Sequence, residues 1–223
     1  IYSEGLFLFL AMSSIYLMRK SKFFLASVVI LIATATRLAG LFLIVVYLIE
    51  VYKSKNKINY LWLILTPLGI LAYMYFLHLN FGNAFYFFSS SGEFGTGRDV
   101  SKIVLFPQII YRYIKMFVSI DVFSLAFLNI TLEFLFTLGP LVYLFTLIKK
   151  MRSSYWVFSL FTLLIGTLNG TFTSMPRYVI PSMMFIFPFI VSQRKIKLNT
   201  IFVASGLLMI VLTMMFIRGY WVA

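Results

Sequence analysis

Uncharged, apolar runs alternate with short basic segments along the whole chain. A helix rises 1.5 Å per residue, so it needs about 20 residues to cross the ~30 Å hydrocarbon layer of a membrane. Only some of the runs are that long. The pattern predicts an all-α polytopic membrane protein with about seven or eight transmembrane or half-membrane helices. The runs cover residues 5–18, 23–36, 38–49, 58–79, 122–148, 155–176, 178–192 and 198–217.

The composition agrees with this class and excludes several others. Hydrophobic residues make up 62% of the 223 residues and charged residues 11%. A soluble domain is about half apolar and a quarter charged. Because the chain has no cysteine and one histidine, disulfides, cysteine-ligated metals and histidine-rich metal sites are excluded. We assign no residue to a metal and expect no tightly bound cofactor.

Twelve of the 19 basic residues lie in four tight clusters between the apolar runs. Cytoplasmic loops of membrane proteins collect Lys and Arg. If residues 23–49 form one long helix with Arg37 in its middle, the first two clusters face opposite sides. If they form a hairpin with Arg37 at its tip, all four clusters face the cytoplasm, and we favour this interpretation. The clusters are Arg19/Lys20/Lys22, Lys53/Lys55/Lys57, Lys149/Lys150/Arg152 and Arg194/Lys195/Lys197.

The formal net charge of +13 is therefore mainly a signal of topology. A solvated anchor that also attracts anionic lipid accounts for each basic cluster. No RNA-binding signature and no stripe of alternating basic and aromatic residues is present, so we expect no nucleic-acid partner.

Residues 80–121 are expected to form a non-cytoplasmic loop within the single transmembrane domain 1–223. A Gly- and Ser-rich stretch opens this loop. Apolar residues then recur at helical spacing, which predicts an amphipathic helix at about 102–119, with Pro107 near its start. This helix packs on the outer membrane surface or, alternatively, roofs a cavity that opens to the outside.

Charged residues near the membrane boundary are the candidates for function, since ionisable groups are rare there unless they are paired or used. On the hairpin topology Glu4, Arg37 and Arg177 share the outer face. A guanidinium donates two parallel hydrogen bonds to a phosphate and stays charged at the boundary. This suggests a ligand with a phosphate head at the outer surface and an apolar tail among the helices. The alternative is an interfacial anchor or a structural Glu–Arg pair.

Glu133 lies inside an apolar run and is expected to have a structural role rather than a functional one. Asn129 reads as the cap of a helix that begins at about residue 130. Glu133 would then lie in the first turn, near the positive end of the helix dipole.

Four short motifs, in this order and spacing, resemble the GPI mannosyltransferase 2 (PIG-V) family and its prokaryotic relatives, which are GT-C type glycosyltransferases. They are Tyr2-Ser3-Glu4-Gly5-Leu6-Phe7, Ala33-Thr34-Ala35-Thr36-Arg37-Leu38-Ala39-Gly40, Pro67-Leu68-Gly69-Ile70-Leu71-Ala72-Tyr73 and Met175-Pro176-Arg177-Tyr178. The resemblance implies a GT-C-like membrane enzyme that transfers mannose or another hexose, with inversion, from a polyprenyl-phosphate sugar to an acceptor hydroxyl on the non-cytoplasmic face. Its partners would be membrane lipid, the lipid-linked donor and a glycan or glycolipid acceptor.

Site roles follow from the resemblance and from the chemistry of the transfer. Arg37, Arg177 and Tyr178 would bind the donor phosphate, while Glu4 and Ser3 would orient the acceptor or support an arginine. The family's acidic catalytic base would precede Ile1, so we expect the chain to be an inactive C-terminal part of a larger enzyme. The membrane would be the plasma membrane in a prokaryote and the endoplasmic reticulum in a eukaryote.

A lipid or glycan transporter, or a flippase subunit without catalysis, is the alternative function. Such proteins also use arginines at the outer face and short, broken helices. Transporters often carry two copies of an interrupted helix pair. The sequence predicts one such pair, at 23–49, and no second copy.

Overall fold

The structure is a computed structural model that describes residues 3–54, 56–87, 104, 106–167, 170–173, 175–194 and 198–219. Within these ranges the chain is helical and forms no strand, so the all-α prediction is confirmed for the described residues. The α-helices are α1 (Glu4–Arg19), α2 (Phe23–Thr36), α3 (Leu41–Ser54), α4 (Leu68–Phe81), α5 (Phe106–Ser119), α6 (Leu125–Thr146), α7 (Ser153–Thr167), α8 (Met175–Tyr178), α9 (Ile180–Arg194) and α10 (Leu198–Ile217).

Helices α2 and α3 are two short antiparallel helices that meet at Arg37, so the interpretation of 23–49 as one long helix is wrong. Arg37 has an extended backbone (φ −152°, ψ 146°), which ends α2, and a single 3-10 turn follows. A Cβ on Gly40 would lie 2.6 Å from the carbonyl oxygen of Ala33, so the turn folds back closely because residue 40 is glycine. At the other end of the pair the Tyr47 hydroxyl lies 3.5 Å from the carbonyl oxygen of Phe23.

The predicted segment 58–79 consists of two helices of different kinds. Residues Lys57–Leu65 form a 3-10 helix, and α4 begins after Thr66 and Pro67. Proline fits there, because the first turn of a helix does not need its N–H. The Thr34 hydroxyl of α2 donates to the carbonyl of Thr66 (3.1 Å), which ties the junction to the hairpin.

Helices α1, α2 and α3 pack together and have two distinct ends. At one end, which we call the Arg37 end, α1 begins and α2 ends, and an ion pair joins them. At the other end, which we call the basic end, one residue from each of three basic clusters lines a common cavity: Arg19, Lys53 and Arg152. The hairpin thus brings residues of three of the four clusters to one end, while Lys195 and Lys197 of the fourth cluster lie outside the described residues.

Two groups of buried apolar side chains form the core. One joins α1, α2 and α3 with Phe158 of α7, and the other joins α5, α6, α7 and α9. Tyr155 and Phe185 pack against both groups. Many large apolar side chains remain exposed around them, such as Phe123 (98%) and Val118 (84%). Two described segments, Lys57–Phe81 and Leu125–Thr146, are long and apolar enough to cross a membrane.

The predicted start of the helix that carries Glu133 is wrong. Helix α6 begins four residues before Asn129, and its cap is Ser124, whose side chain accepts a hydrogen bond from the Phe127 N–H (3.1 Å). Ser124 has the β-region backbone that an N-cap requires, so the helix starts at the earlier of the two capping signals. Glu133 therefore lies in the third turn and is buried, with 9% of its surface exposed.

The amphipathic helix predicted at about 102–119 is α5, which begins at Phe106 and ends at Ser119. Residues 102 and 103, at its expected start, lie outside the described residues. Pro107 is the second residue of the helix, where its missing N–H costs no hydrogen bond. Ile109 and Tyr113 are buried, which places the apolar face against the core.

Substitution of Gly69 tests how closely α4 packs against α2. A Cβ at residue 69 would lie 1.9 Å from the carbonyl oxygen of Leu31. We expect Gly69→Ala to lower the free energy of unfolding by about 1–3 kcal/mol, because the helices must separate. Denaturant titration in detergent measures the change.

The matched control is Gly206→Ala in α10, where an added Cβ meets nothing within 4 Å. Alanine favours a helix by up to about 1 kcal/mol over glycine, so this variant should be neutral or slightly more stable. Equal losses in the two variants would contradict the close packing at Gly69.

Candidate functional site

An ion pair between Glu4 and Arg37 forms the centre of the Arg37 end. The Arg37 Nη1 atom lies 2.7 Å from the Glu4 Oε1 atom, and the two side chains are 17% and 13% exposed. Glu4 lies in the first turn of α1 and Arg37 follows the last residue of α2. Each charge thus opposes the partial charge of its own helix end, which favours both positions.

Tyr178 of the short helix α8 reaches the same arginine from the other side. The guanidinium carbon of Arg37 lies 5.6 Å from the centroid of the Tyr178 ring, within the range of a cation–π contact. Gly166 of α7 allows this approach, since a Cβ there would lie 2.5 Å from the sulfur of Met175 and 3.4 Å from the Cβ of Tyr178. Tertiary packing therefore brings together three of the residues that the sequence singles out.

Arg37 also lines a cavity of about 290 Å³. The cavity wall comes from the end of α2, from α4 and from residue 87: Thr34, Ala35, Thr36, Arg37, Leu38, Ile70, Tyr73 and Phe87. A guanidinium has five N–H donors and the contact to Glu4 involves Nη1, so Arg37 has capacity for a second anion. Arg37 beside this cavity is suited to a phosphate-bearing ligand.

The cavity is recessed rather than superficial. Gly69 packs at the level of Leu31 and Ala35, near the end of α2. Helix α4 continues to Phe81, about 18 Å beyond Gly69 at 1.5 Å per residue, and so extends past the turn at Arg37. The exposed aromatic residues of α4 therefore stand beyond the ion pair, and a ligand reaches Arg37 alongside this helix.

A second cavity at the same end is almost wholly apolar. It measures about 370 Å³ and lies between the start of α3, the end of α7 and the start of α5: Phe42, Val104, Phe106, Phe161, Leu164, Ile165 and Thr167. Phe42 and Phe161 stack, with ring centroids 5.2 Å apart. An apolar chain fits such a lining better than a polar group does.

The other predicted site residues stand as follows. Ser3 is the N-cap of α1, but its side chain makes no capping bond and is exposed; its carbonyl accepts from the Phe7 N–H (2.9 Å). The backbone of Arg177 lies in α8, next to Tyr178, while its side chain lies outside the described residues.

A buried polar contact that the sequence analysis missed fixes α5 to the Arg37 end. The Tyr113 hydroxyl donates to the Glu133 Oε2 atom (2.6 Å) and accepts from the Phe172 N–H (3.1 Å). Burial is the largest cause that raises the pKa of the Tyr113 hydroxyl above its ordinary value, and the hydrogen bond to Glu133 is the next. The hydroxyl therefore keeps its proton and remains a donor. Tyr113 lies on the apolar face of α5, but helical spacing does not reveal a partner on another helix.

A second ionic contact, also missed, lies at the basic end. Arg152 donates from Nε to the Glu50 Oε1 atom (2.7 Å) and from Nη2 to the Oε2 atom (2.5 Å), and the Ser154 hydroxyl donates to Oε1 (2.5 Å). Glu50 is buried, so the bidentate pair satisfies a charge that would otherwise be costly. The sequence signal for this ion pair is Glu50 itself, a carboxylate at the end of an apolar run with basic residues shortly after it.

No group of three His, Cys, Asp or Glu side chains that could hold a metal ion occurs within the residues that the structure describes. His78 is exposed near the end of α4. The chemistry that these residues offer at the Arg37 end is the recognition of an anion by a guanidinium.

Tyr113→Phe tests the contact that anchors α5. The change removes the hydrogen bonds to Glu133 and to the Phe172 N–H, so we expect a loss of about 2 kcal/mol in the free energy of unfolding. Tyr111→Phe on the same helix is the control, since Tyr111 is 67% exposed. Its effect should stay within about 0.5 kcal/mol. Similar effects of the two changes would show that the buried hydroxyl does not anchor the helix.

No protein-family model matches the chain, and no curated protein or solved structure matches it. The resemblance to the GPI mannosyltransferase 2 family therefore stays a prediction that rests on the short motifs. What can be argued about function rests on those motifs and on the geometry around Arg37.

Proposed function

We propose that the chain is a multi-pass integral membrane protein with the basic end in the cytoplasm. The exposed apolar side chains and the two long apolar segments support this location. The collection of Arg19, Lys53 and Arg152 at one end supports the orientation, because cytoplasmic loops are rich in Lys and Arg. The Arg37 end then faces the non-cytoplasmic side.

The two helices of the hairpin, like most of the described helices, are too short to cross the bilayer squarely. Helices α2 and α3 have 14 residues each, which gives about 21 Å at 1.5 Å per residue, against a hydrocarbon layer of ~30 Å. The hairpin therefore ends within the membrane depth, and Arg37 lies below the outer surface. An arginine at such depth is stable only with a partner, which Glu4 provides.

Within this membrane we propose a hexosyltransferase that resembles the GPI mannosyltransferase 2 family and uses a polyprenyl-phosphate sugar as donor. The observation that carries the proposal is Arg37, held by Glu4 and by the ring of Tyr178 at the wall of a cavity of about 290 Å³. The donor combines a phosphate with a long apolar chain. The Arg37 site suits the first part, and the apolar cavity at Phe42 and Phe161 suits the second.

The transfer assigns different roles to these side chains. The bond between the sugar's anomeric carbon and the phosphate oxygen breaks, and the acceptor oxygen bonds to that carbon from the opposite face. Polyprenyl phosphate leaves with an added negative charge, which Arg37 stabilises. The acceptor's proton passes to a general base, a role that we give to no residue of this chain. Glu4 is a positioning residue, because its carboxylate already holds Arg37.

A lipid or glycan transporter is the second candidate, and one observation favours it. The segment 57–81 is interrupted at Thr66 and Pro67, where it contacts the end of α2 through Thr34. Two interrupted segments thus meet inside the bundle, an arrangement that transporters use at their binding sites. In this case the Arg37 site would bind the same phosphate-bearing lipid without breaking a bond.

Cysteine labelling tests the orientation, since the chain has no native cysteine. Lys20 and Lys53 lie near the basic end and Asn83 lies beyond α4; all three are exposed. We expect Lys20→Cys and Lys53→Cys to react from one side of a sealed vesicle and Asn83→Cys from the other. Reaction of Lys20→Cys and Lys53→Cys from opposite sides would contradict the hairpin in the membrane.

Sugar transfer tests the site. The full-length protein is reconstituted with a polyprenyl-phosphate hexose and candidate acceptors. We expect Arg37→Gln to lower kcat/KM by about 100-fold, the cost of removing one donor that stabilises a developing negative charge. Arg177→Gln tests the neighbouring arginine in the same way. Arg218→Gln, at the exposed end of α10, is the control and should keep full activity.

The outcomes separate the candidates. Full sugar transfer by Arg37→Gln would overturn the assignment of the site. If the wild type transfers sugar from no lipid-linked donor, the proposal of an enzyme is overturned. In the second case, movement of the lipid-linked sugar across the vesicle membrane that is lost in Arg37→Gln would establish the transporter.

A further inference from the structure

The basic end holds a small polar cavity that the proposed function does not use. It measures about 150 Å³, well above the ~10–15 Å³ that a single water needs. The ends of α1 and α3, the start of α2 and the residue before α7 surround it. Its lining residues are Met18, Arg19, Ser21, Phe23, Glu50, Lys53, Ser54 and Arg152.

Three cations and one carboxylate line this cavity, so its formal charge is positive. Glu50 offsets a single charge, and both of its oxygens already accept hydrogen bonds from Arg152. The guanidinium of Arg152 has five N–H donors, of which these bonds use two. Arg19 and Lys53 are exposed at the rim. An anion that enters the cavity thus meets donors from three separate helical segments.

The helix ends at the cavity contribute partial charges of both signs. Helix α2 begins at Phe23 on the cavity wall, and the first N–H groups of a helix have no partner within it. The carboxyl ends of α1 and α3 lie here too, where Arg19 and Lys53 offset the negative ends of the helix dipoles. The hydroxyls of Ser21 and Ser54 supply further polar groups at the wall.

We propose that this cavity binds a phosphate group, and in the membrane the phosphate of an anionic phospholipid head group. Basic pockets between helices on the cytoplasmic side are suited to anionic head groups. A bound phosphate would bridge α1, α3 and the start of α7 and would so brace the basic end. The lipid form of the proposal rests on the membrane location proposed above, but neither form depends on sugar transfer.

The test compares two pairs of substitutions that remove the same charge from the same end. The double variant Arg19→Ala with Lys53→Ala removes both cations at the rim of the cavity and leaves the ion pair of Glu50 and Arg152 intact. Lys149→Ala with Lys150→Ala removes two exposed cations that do not line the cavity. Nanodiscs of phosphatidylcholine with a minority of phosphatidylglycerol supply the lipid, and native mass spectrometry of the full chain counts the phosphatidylglycerol retained.

We expect the cavity pair to lower phosphatidylglycerol retention at least tenfold and the control pair to leave it within about twofold of wild type. Arg19→Gln with Lys53→Gln, which keeps most of the side-chain length, should behave like the alanine pair. Circular dichroism of each variant verifies that the helices persist. Equal losses in the two pairs would mean diffuse attraction to the surface and would overturn the proposal.

Inorganic phosphate distinguishes the source of the ligand. If it raises the thermal midpoint of wild type in neutral detergent, and the cavity pair abolishes this rise, the cavity takes phosphate without a lipid. If phosphatidylglycerol is retained but phosphate has no effect, the ligand is the lipid. Absence of both responses would overturn the proposal, whatever the result of the sugar-transfer assay.

Discussion

A charged side chain between two apolar helices is stable only when another group neutralises it, and at Arg37 that group is Glu4. The extended backbone at Arg37 ends α2, and the close approach of Gly40 to Ala33 folds α3 back along it. The ion pair then joins the start of α1 to this turn. The placement of the basic clusters at one end and of the Arg37 cavity at the other depends on this short stretch.

Each helical carboxylate that the structure describes has a partner on another segment. Glu4 pairs with Arg37, Glu50 with Arg152, and Glu133 accepts from Tyr113. Each contact joins segments that are far apart in the sequence. Because an unpaired buried charge costs much more than a paired one, these contacts favour the packing in which each of the three carboxylates has a partner.

The two ends of the bundle hold their arginines differently, and this difference matters for ligands. At the basic end both oxygens of Glu50 bind Arg152, which leaves Arg19 and Lys53 to attract an anion. At the Arg37 end the guanidinium of Arg37 lies beside a cavity and an aromatic ring. On the two proposals, a phosphate would be bound by several weak contacts at the first end and by one oriented guanidinium at the second.

Much of the fold could be read from local patterns, because those patterns have local causes. The break at Arg37 interrupts an apolar run, and α5 shows a clear 3.6-residue period, so both were predicted near their observed positions. The start of α6 was placed too late, since Ser124 and Asn129 are both good caps and the sequence does not say which one the backbone uses. The 3-10 geometry of Lys57–Leu65 has no distinct period that a short apolar run could display.

For the candidate site, the sequence alone identifies the residues to consider, because a charge within an apolar chain is conspicuous and Glu4 and Arg37 are such charges. Their partners are set by tertiary packing. The distance from Arg37 to Tyr178 and from Glu50 to Arg152 spans more than a hundred residues, and no periodicity encodes contacts across such a separation. They follow from how helices pack, where glycines such as Gly40, Gly69 and Gly166 let backbones approach and so fix which side chains can meet.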